Sequence, residues 1–226
     1  MNLHLYIDYG PVLLQGVVFT LLSSAGALVI GLLWGLLLCL LGQVNNRLLR
    51  LFYQLYLTVF RGTPLLVQIY LVFYGGPFIG IELSALQVGI GGLGLYSAAY
   101  FAEILRSGFL SVPPGQIEAA RDLGLSRWQV LSQVKLPQML GLVLPAILNQ
   151  TILLVKESAI LSIITVPEMM SAASRMSSET FTFIEPYLFL GLTYWLITFL
   201  LARSVRLLEG TRAATSLDCE DTACKT

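Results

Sequence analysis

Glu118-Ala119-Ala120-Arg121-Asp122-Leu123-Gly124-Leu125-Ser126-Arg127-Trp128-Gln129, running on to Lys135-Leu136-Pro137, is the stretch whose reading decides the fold. The chain on either side of it is long and apolar. This stretch carries Glu118, Arg121, Asp122, Arg127 and Lys135, yet its pattern is helical. Pro113, Pro114 and Gly115 precede it, and a helix can begin just after them, with Glu118 in a first turn whose dipole favours an acid. Gly124 breaks the run. Ser126 is placed to N-cap a second short helix over 127–135, with Gln129 at its third position. Pro137 marks the end of that helix or a kink in it. Two short polar helices joined by a glycine bend and held between membrane spans need a partner outside the membrane.

Composition agrees with a membrane setting. The 226 residues are 56% hydrophobic and only 12% charged, with mean hydropathy +0.79, whereas an average soluble protein is about one quarter charged. A single all-α integral membrane domain over 1–210 is expected, with a polar, disordered tail over 211–226. The formal net charge is +0, so no basic field invites nucleic acid. Cys39, Cys219 and Cys224 form no disulfide framework, and the latter two sit in a tail expected in a reducing compartment. A lone histidine, His4, and the absence of CxxC or HExxH patterns leave no metal or haem site in view. The N-terminus lacks a basic region ahead of its first apolar run, so the first span is expected to be retained.

About five spans follow from the apolar runs, near 12–41, 48–74, 84–110, 139–164 and 187–201. Gly26, Gly31 and Gly35 in the first run predict close helix packing. The second run has Arg61-Gly62-Thr63-Pro64 in its middle, and the fourth is interrupted by Pro145. The segment from Pro167 to Glu185 reads as a polar outer connection. Five spans put the termini on opposite sides. With the N-terminus outside, ten of the 13 Lys and Arg residues are cytoplasmic, all but Arg61, Lys156 and Arg175. That orientation also places the polar segment 113–137 and the C-terminus in the cytoplasm. No GxxxxGK[ST] pattern occurs, so an ATP-driven process needs a nucleotide site on another chain.

Glu118-Ala119-Ala120, Gly124 three residues on, Val134 nine residues later and then Leu136-Pro137 resembles the EAA motif of the membrane subunits of ABC importers. Arg61-Gly62-Thr63-Pro64 with Leu65, Leu66 and Gln68 resembles a signature of the polar-amino-acid branch, the histidine, glutamine, arginine and opine uptake permeases. Tyr100-x-x-Glu103-x-x-Arg106 ahead of Ser111-Val112-Pro113 resembles the same branch. The likeness runs from roughly residue 20 to 164 and is weaker beyond. It implies a type I ABC importer-like fold in a bacterial plasma (inner) membrane. The cytoplasmic coupling helix pair would dock into a groove of a separate ATPase, through Glu118, Ala119, Ala120, Gly124, Leu136 and Pro137. Two such subunits would bind the ATP and Mg, and this chain no cofactor. A second permease subunit, the same chain or a similar one, and a soluble amino-acid-binding protein outside would complete the assembly, with membrane lipid around it.

Ionisable and amide side chains inside the spans are costly, which makes them functional candidates. Arg61, Gly62, Thr63 and Pro64 read as a kinked gate, or Arg61 pairs with a carboxylate such as Glu103 to fix packing. Gln68 faces the path or bonds a neighbouring helix. Tyr100, Glu103 and Arg106 share one end of a span, where a structural clamp competes with substrate contact. In the fourth run Asn149 and Lys156 share a face two turns apart, and Gln150 and Glu157 share the adjacent one, with Ser158 beyond. This strip can bind a zwitterion or act as interhelical glue. The neutral Gln150 stands where the resemblance puts an acid in many carriers of cationic amino acids, which leans towards a neutral or acidic polar substrate.

An ion-gradient-driven secondary transporter is the alternative, but no inverted repeat with a carboxylate relay is visible. A purely structural subunit would leave the polar strip without a task. A membrane enzyme is disfavoured: Ser158 and Ser162 have no histidine base near them, and Glu103 and Glu157 are expected near opposite membrane sides.

Overall fold

The computed structural model describes residues 8–223, with side chains described for 8–204. Every regular element among the described residues is helical. The first span, α1 (Gly10–Gln43), starts with Pro11 in its first turn, where the missing amide is no loss. Asn46 caps α2 (Arg47–Gly62), its Oδ1 accepting from the Leu48 amide at 2.9 Å. Thr63 and Pro64 end that helix, and α3 (Leu65–Gly75) leaves at 100° to it before a 3₁₀ turn, Gly76–Ile79. Thr63 is extended, as a residue before proline must be. The second apolar run is therefore two helices bent sharply at Arg61-Gly62-Thr63-Pro64, not one kinked span.

The central span is α4 (Ala85–Ser111), opened by a capping box of Ser84 and Gln87. After it come α5 (Pro114–Asp122), the short α6 (Arg127–Gln129), a π-helical segment Val130–Lys135, α7 (Leu136–Glu157) and a 3₁₀ segment Ser158–Ile164. From Arg127 to Ile164 these form one 38-residue apolar span. Neither Pro137 nor Pro145 ends it. Pro137 falls in the first turn of α7, where its lost amide is tolerated, and the wider π segment just before it absorbs the steric demand. The expected helix over 127–135 is thus continuous with the apolar helix that follows it.

Next, α8 (Met169–Thr180) lies along the first turns of α1, burying Ala172 and Met176 against Leu13. Its first amide, Met169, donates to Thr20 Oγ1 at 3.1 Å. Thr20 is ten residues into α1, about 15 Å from its start at 1.5 Å per residue. At the other end of α8, Tyr9 donates to Glu179 at 2.8 Å. The Pro167–Glu185 connection therefore carries a helix laid back along the first ten residues of α1. Last comes α9 (Ile184–Ala223), whose backbone helix continues through 211–223 of the tail expected to be disordered; residues 224–226 lie outside the described residues. His4 and the side chains of Cys219 and Cys224 also lie outside them.

The core forms around α4. Leu93, Ala98, Phe101 and Ala102 have no solvent exposure, and Phe101 packs with Ala27, Leu154, Leu161 and Ile164. Helix α1 comes very close. A Cβ added at Gly35 would sit 2.8 Å from Phe101 Cβ and 3.0 Å from the Ala98 carbonyl. At the far end of α4 a Cβ on Gly108 would run into Val143 Cγ2, so α7 crosses α4 at a glycine. The outer faces of α1, α2 and α9 are lined by Leu, Val, Ile, Phe and Trp, as a surface in contact with lipid or another apolar helix must be.

Candidate functional site: a docking end and a polar stripe

The α5–α6 bend is built by local chemistry alone. Gly124 takes φ +82°, the left-handed conformation. The Leu125 amide donates to the Ala120 carbonyl at 3.1 Å and the Gly124 amide to the Arg121 carbonyl at 2.8 Å. Those two bonds are a complete Schellman cap. Ser126 and Gln129 then exchange the two bonds of a capping box. Gln138 Nε2 donates to Gln116 Oε1 at 2.7 Å and ties the start of α7 back to α5. Glu118, Ala119, Gly124 and Pro137 are exposed, and Leu136 is half-buried. Ala120 is buried, so its small size serves the packing of α5 on its own chain; only Ala119 is open to a partner. Leu123 is 81% exposed and Trp128 72% exposed, two large apolar side chains projecting from a polar end. The two flank the glycine bend, one at the end of α5 and one in α6, so the knuckle itself offers apolar anchors of the kind a groove accepts.

At the break between α2 and α3, the Arg61 guanidinium bonds Glu103 Oε2 at 2.9 Å and stands 5.5 Å from the Tyr100 ring centroid. Tyr53 donates to Glu103 Oε1 at 3.0 Å. Tyr96 and Tyr100 share a hydroxyl hydrogen bond of 3.0 Å. Tyr96, Tyr100 and Glu103 are four and three residues apart, one face of α4. The expected Arg61–Glu103 pair is thus present, and two tyrosines that the spacing alone did not flag, Tyr53 and Tyr96, complete the cluster. Arg106 lies on a different cavity, beside Arg50 and Lys135. The Gln68 Nε2 donates to the Phe60 and Thr63 carbonyls, each at 3.1 Å, and to Thr63 Oγ1 at 2.7 Å, while its Oε1 is buried with no hydrogen-bond partner among the described residues. It satisfies carbonyls that the helix break sets free.

On α7 the four strip residues split as their spacing predicts. Asn149 and Lys156 are exposed; Gln150 is buried and Glu157 half-buried. Glu157 Oε2 is buried with no hydrogen-bond partner among the described residues. The carboxylate lies within electrostatic reach of Tyr96, at mid-length of α4. Glu103, on the same face of α4, lies seven residues beyond Tyr96. Ser158 is buried and bonds back to the Val155 carbonyl at 2.8 Å, a helix-internal bond.

One residue the sequence reading missed altogether is Glu168. It has no solvent exposure. It caps α8, accepting from the Met170 and Ser171 amides at 2.8 Å each and from Tyr194 at 3.4 Å. The available signal was an acid directly after Pro167 with Ser171 three residues on, but glutamate is not among the usual N-caps. Near the surface end of α8, the Arg175 guanidinium at 2.8 Å and the Tyr9 hydroxyl hold the Glu179 carboxyl below the usual carboxylate range.

Comparison with known proteins matches this geometry. The Bacillus subtilis protein named "Probable amino-acid ABC transporter permease protein YckA" is 38% identical over 208 residues, covering 92% of each chain. The octopine transport system permease protein OccM of Rhizobium meliloti is 40% identical over 165 residues, covering 69% of this chain and 67% of its own. A crystal structure of an amino acid ABC transporter with histidines superposes with a TM-score of 0.88 at 34% identity, covering 93% of this chain and 99% of that one. An inward-facing MetNI methionine ABC transporter gives 0.65 at 26% identity, covering 87% and 95%. Residues 27–212 match the family described as binding-protein-dependent transport system inner membrane component, and with its EAA-type bend and multi-pass all-helical fold the chain belongs to that family.

Proposed function

We propose that this permease forms one half of the pathway of an ATP-driven importer for a neutral or acidic polar amino acid, and that its α5–α6 bend docks on a separate ATP-hydrolysing subunit. The observation that carries this is the bend itself: a fully capped, rigid polar knuckle offering Leu123 and Trp128 to a groove. Two ATP-binding subunits, which hold the ATP and Mg, a second permease chain and a soluble amino-acid-binding protein complete the assembly. This chain carries out no bond chemistry. The cytoplasm lies at the bend, in line with the bacterial inner membrane and an outside N-terminus, because the Lys and Arg residues gather there.

The substrate class rests on α7. The unpaired Glu157 oxygen suits an α-ammonium, and the buried, neutral Gln150 suits an amide or hydroxyl better than a cationic side chain. Asn149 and Lys156 face out of the chain, where a second permease would close the path, and Lys156 there suits a carboxylate. The test is reconstitution in proteoliposomes with the ATP-binding subunit and the binding protein. Uptake of glutamine or glutamate above arginine, dependent on internal or external ATP at the bend's side, is the expected result. Uptake that follows an imposed ion gradient without ATP would replace this reading with a secondary transporter.

A further inference from the structure

The cavity that Arg106 borders, of about 490 Å³, opens between the ends of α1, α2 and α4 and the π segment, on the same end of the bundle as the docking bend. Its volume is in the ~300–1,000 Å³ range of small-ligand pockets. Arg50, Arg106 and Lys135 line it, from three different elements, and no Asp or Glu does. None of the three side chains makes an ion pair or a hydrogen bond among the described residues. Arg106 and Lys135 are half-buried, which strengthens their mutual repulsion relative to open solvent. Arg50 also borders a neighbouring surface hollow that adds Arg47, so the entrance is cationic too. Glu103, one turn from Arg106 on α4, is occupied by Arg61 and by the Tyr53 hydroxyl. Gln54 and the Phe109 ring supply a donor and an apolar wall.

Three converging cations without a counter-charge, at the ends of membrane spans, suit a compact anion better than any side chain this protein provides. We propose that this cavity is a binding site for a phosphate group, presented by an anionic phospholipid headgroup or as free phosphate. Apolar Leu110 on its wall and the exposed leucines of α2 leave room for acyl chains beside it, and basic pockets between spans hold such headgroups. The proposal is independent of the substrate assignment, because no residue of the α7 strip takes part.

The test is native mass spectrometry of the delipidated full chain, wild type beside Arg106→Gln/Lys135→Gln. Each is titrated with phosphatidylglycerol, with phosphatidylethanolamine and, separately, with inorganic phosphate. Arg203→Gln removes a charge from the same end outside the cavity and serves as control. Each cation near a headgroup contributes roughly fivefold in affinity, so the double variant should bind phosphatidylglycerol about 25-fold more weakly. Phosphatidylethanolamine binding and the Arg203→Gln control should stay at wild-type levels. Saturable binding of inorganic phosphate, lost in the double variant, with no preference for phosphatidylglycerol would assign the site to free phosphate. If the double variant fails to fold, Arg50→Gln and Lys135→Gln singly should each show the fivefold loss. Equal binding of both lipids by wild type, with no phosphate binding, overturns the proposal. The same result with the variant altering only recovery of an ATP-binding subunit would reassign the three cations to protein docking.

Discussion

Gly124→Asp separates the strength of the bend from its role as a docking face. The left-handed φ of +82° is where an ordinary L-residue pays about 1–2 kcal/mol, and Asp and Asn, which adopt this conformation most readily, pay less. A Cβ at Gly124 meets nothing within 4 Å, so no atom of the chain is displaced. The new carboxylate sits just past the C-terminal end of α5, where the dipole disfavours it by about 0.3–1 kcal/mol. The chain itself should therefore lose about 1–2 kcal/mol, which for a chain of this length lowers Tm by about 2–8 °C. Docking is affected far more. An uncompensated charge buried in a protein interface costs about 2–5 kcal/mol, a fall in affinity of roughly 30-fold to several-thousand-fold. The assay is co-purification of an ATP-binding subunit from membranes in mild detergent, with thermal unfolding of the purified permease alongside. Gly124→Asn keeps the same backbone strain without the charge and should retain most of the partner. Co-purification of the Asp variant at wild-type level would refute the docking face. A chain that aggregates would refute the claim that the bend is self-contained.

Further outcomes follow from other contacts. Gly108→Ala should destabilise by about 1–3 kcal/mol, because its Cβ would run into Val143 Cγ2, and Val143→Ala in the same chain should recover most of that in a thermal shift. Gln150→Glu should shift uptake towards arginine or lysine; an unchanged substrate profile removes Gln150 from the site. A double-mutant cycle on Arg61→Gln and Glu103→Gln in the isolated permease should give a coupling below about 1 kcal/mol, because the two side chains are 42% and 40% exposed. Arg175→Gln should let the Glu179 carboxyl titrate higher. Because the folded state holds Glu179 below its unfolded range, its stabilisation exists above the unfolded pKa and is lost as pH falls through the folded one. The unfolding curves of wild type and Arg175→Gln should therefore converge as the medium is acidified, and a constant gap across the range would contradict the ion pair.

What could be read from the sequence was mainly what is decided locally. The Gly124 bend, the Ser126–Gln129 capping box and the glycine approach of α1 depend on a few neighbouring residues, and each was legible. So was the Arg61–Glu103 pair, because an arginine inside a span demands a counter-charge and few acids were available. What failed depended on tertiary context. Arg61-Gly62-Thr63-Pro64 could be a kink or a break, and the 100° turn became affordable only because Gln68 satisfies the freed carbonyls. Pro137 was expected to end or kink a helix, and the π segment before it carries that helix through. Glu168 was lost in a polar run whose placement depends on Thr20 and Tyr194, residues 148 and 26 positions away along the chain. Tyr96 was within reach: its spacing to Tyr100 and Glu103 marks a helix face that counting at intervals of three and four would have found.

The continuity of the fourth span matters for how docking could act on the polar strip. A free coupling helix ending at Pro137 would have to transmit displacement through a flexible joint. Here the backbone is helical from Arg127 to Ile164, and Gln138 ties the foot of α7 to α5. Gln150 and Glu157 lie on that same rod, Glu157 about 45 Å along it from Arg127 at 1.5 Å per residue. Gly108 lets α7 cross α4 closely a few turns above the bend, which gives the rod a fulcrum. Any tilt imposed at the bend then moves Glu157 relative to the Tyr96–Tyr100–Glu103 face of α4, which is anchored by α1 and by Arg61. A tilt imposed at the bend would thus reach the candidate substrate strip along one helical run, with the π segment and Pro145 as the points where that run is weakest.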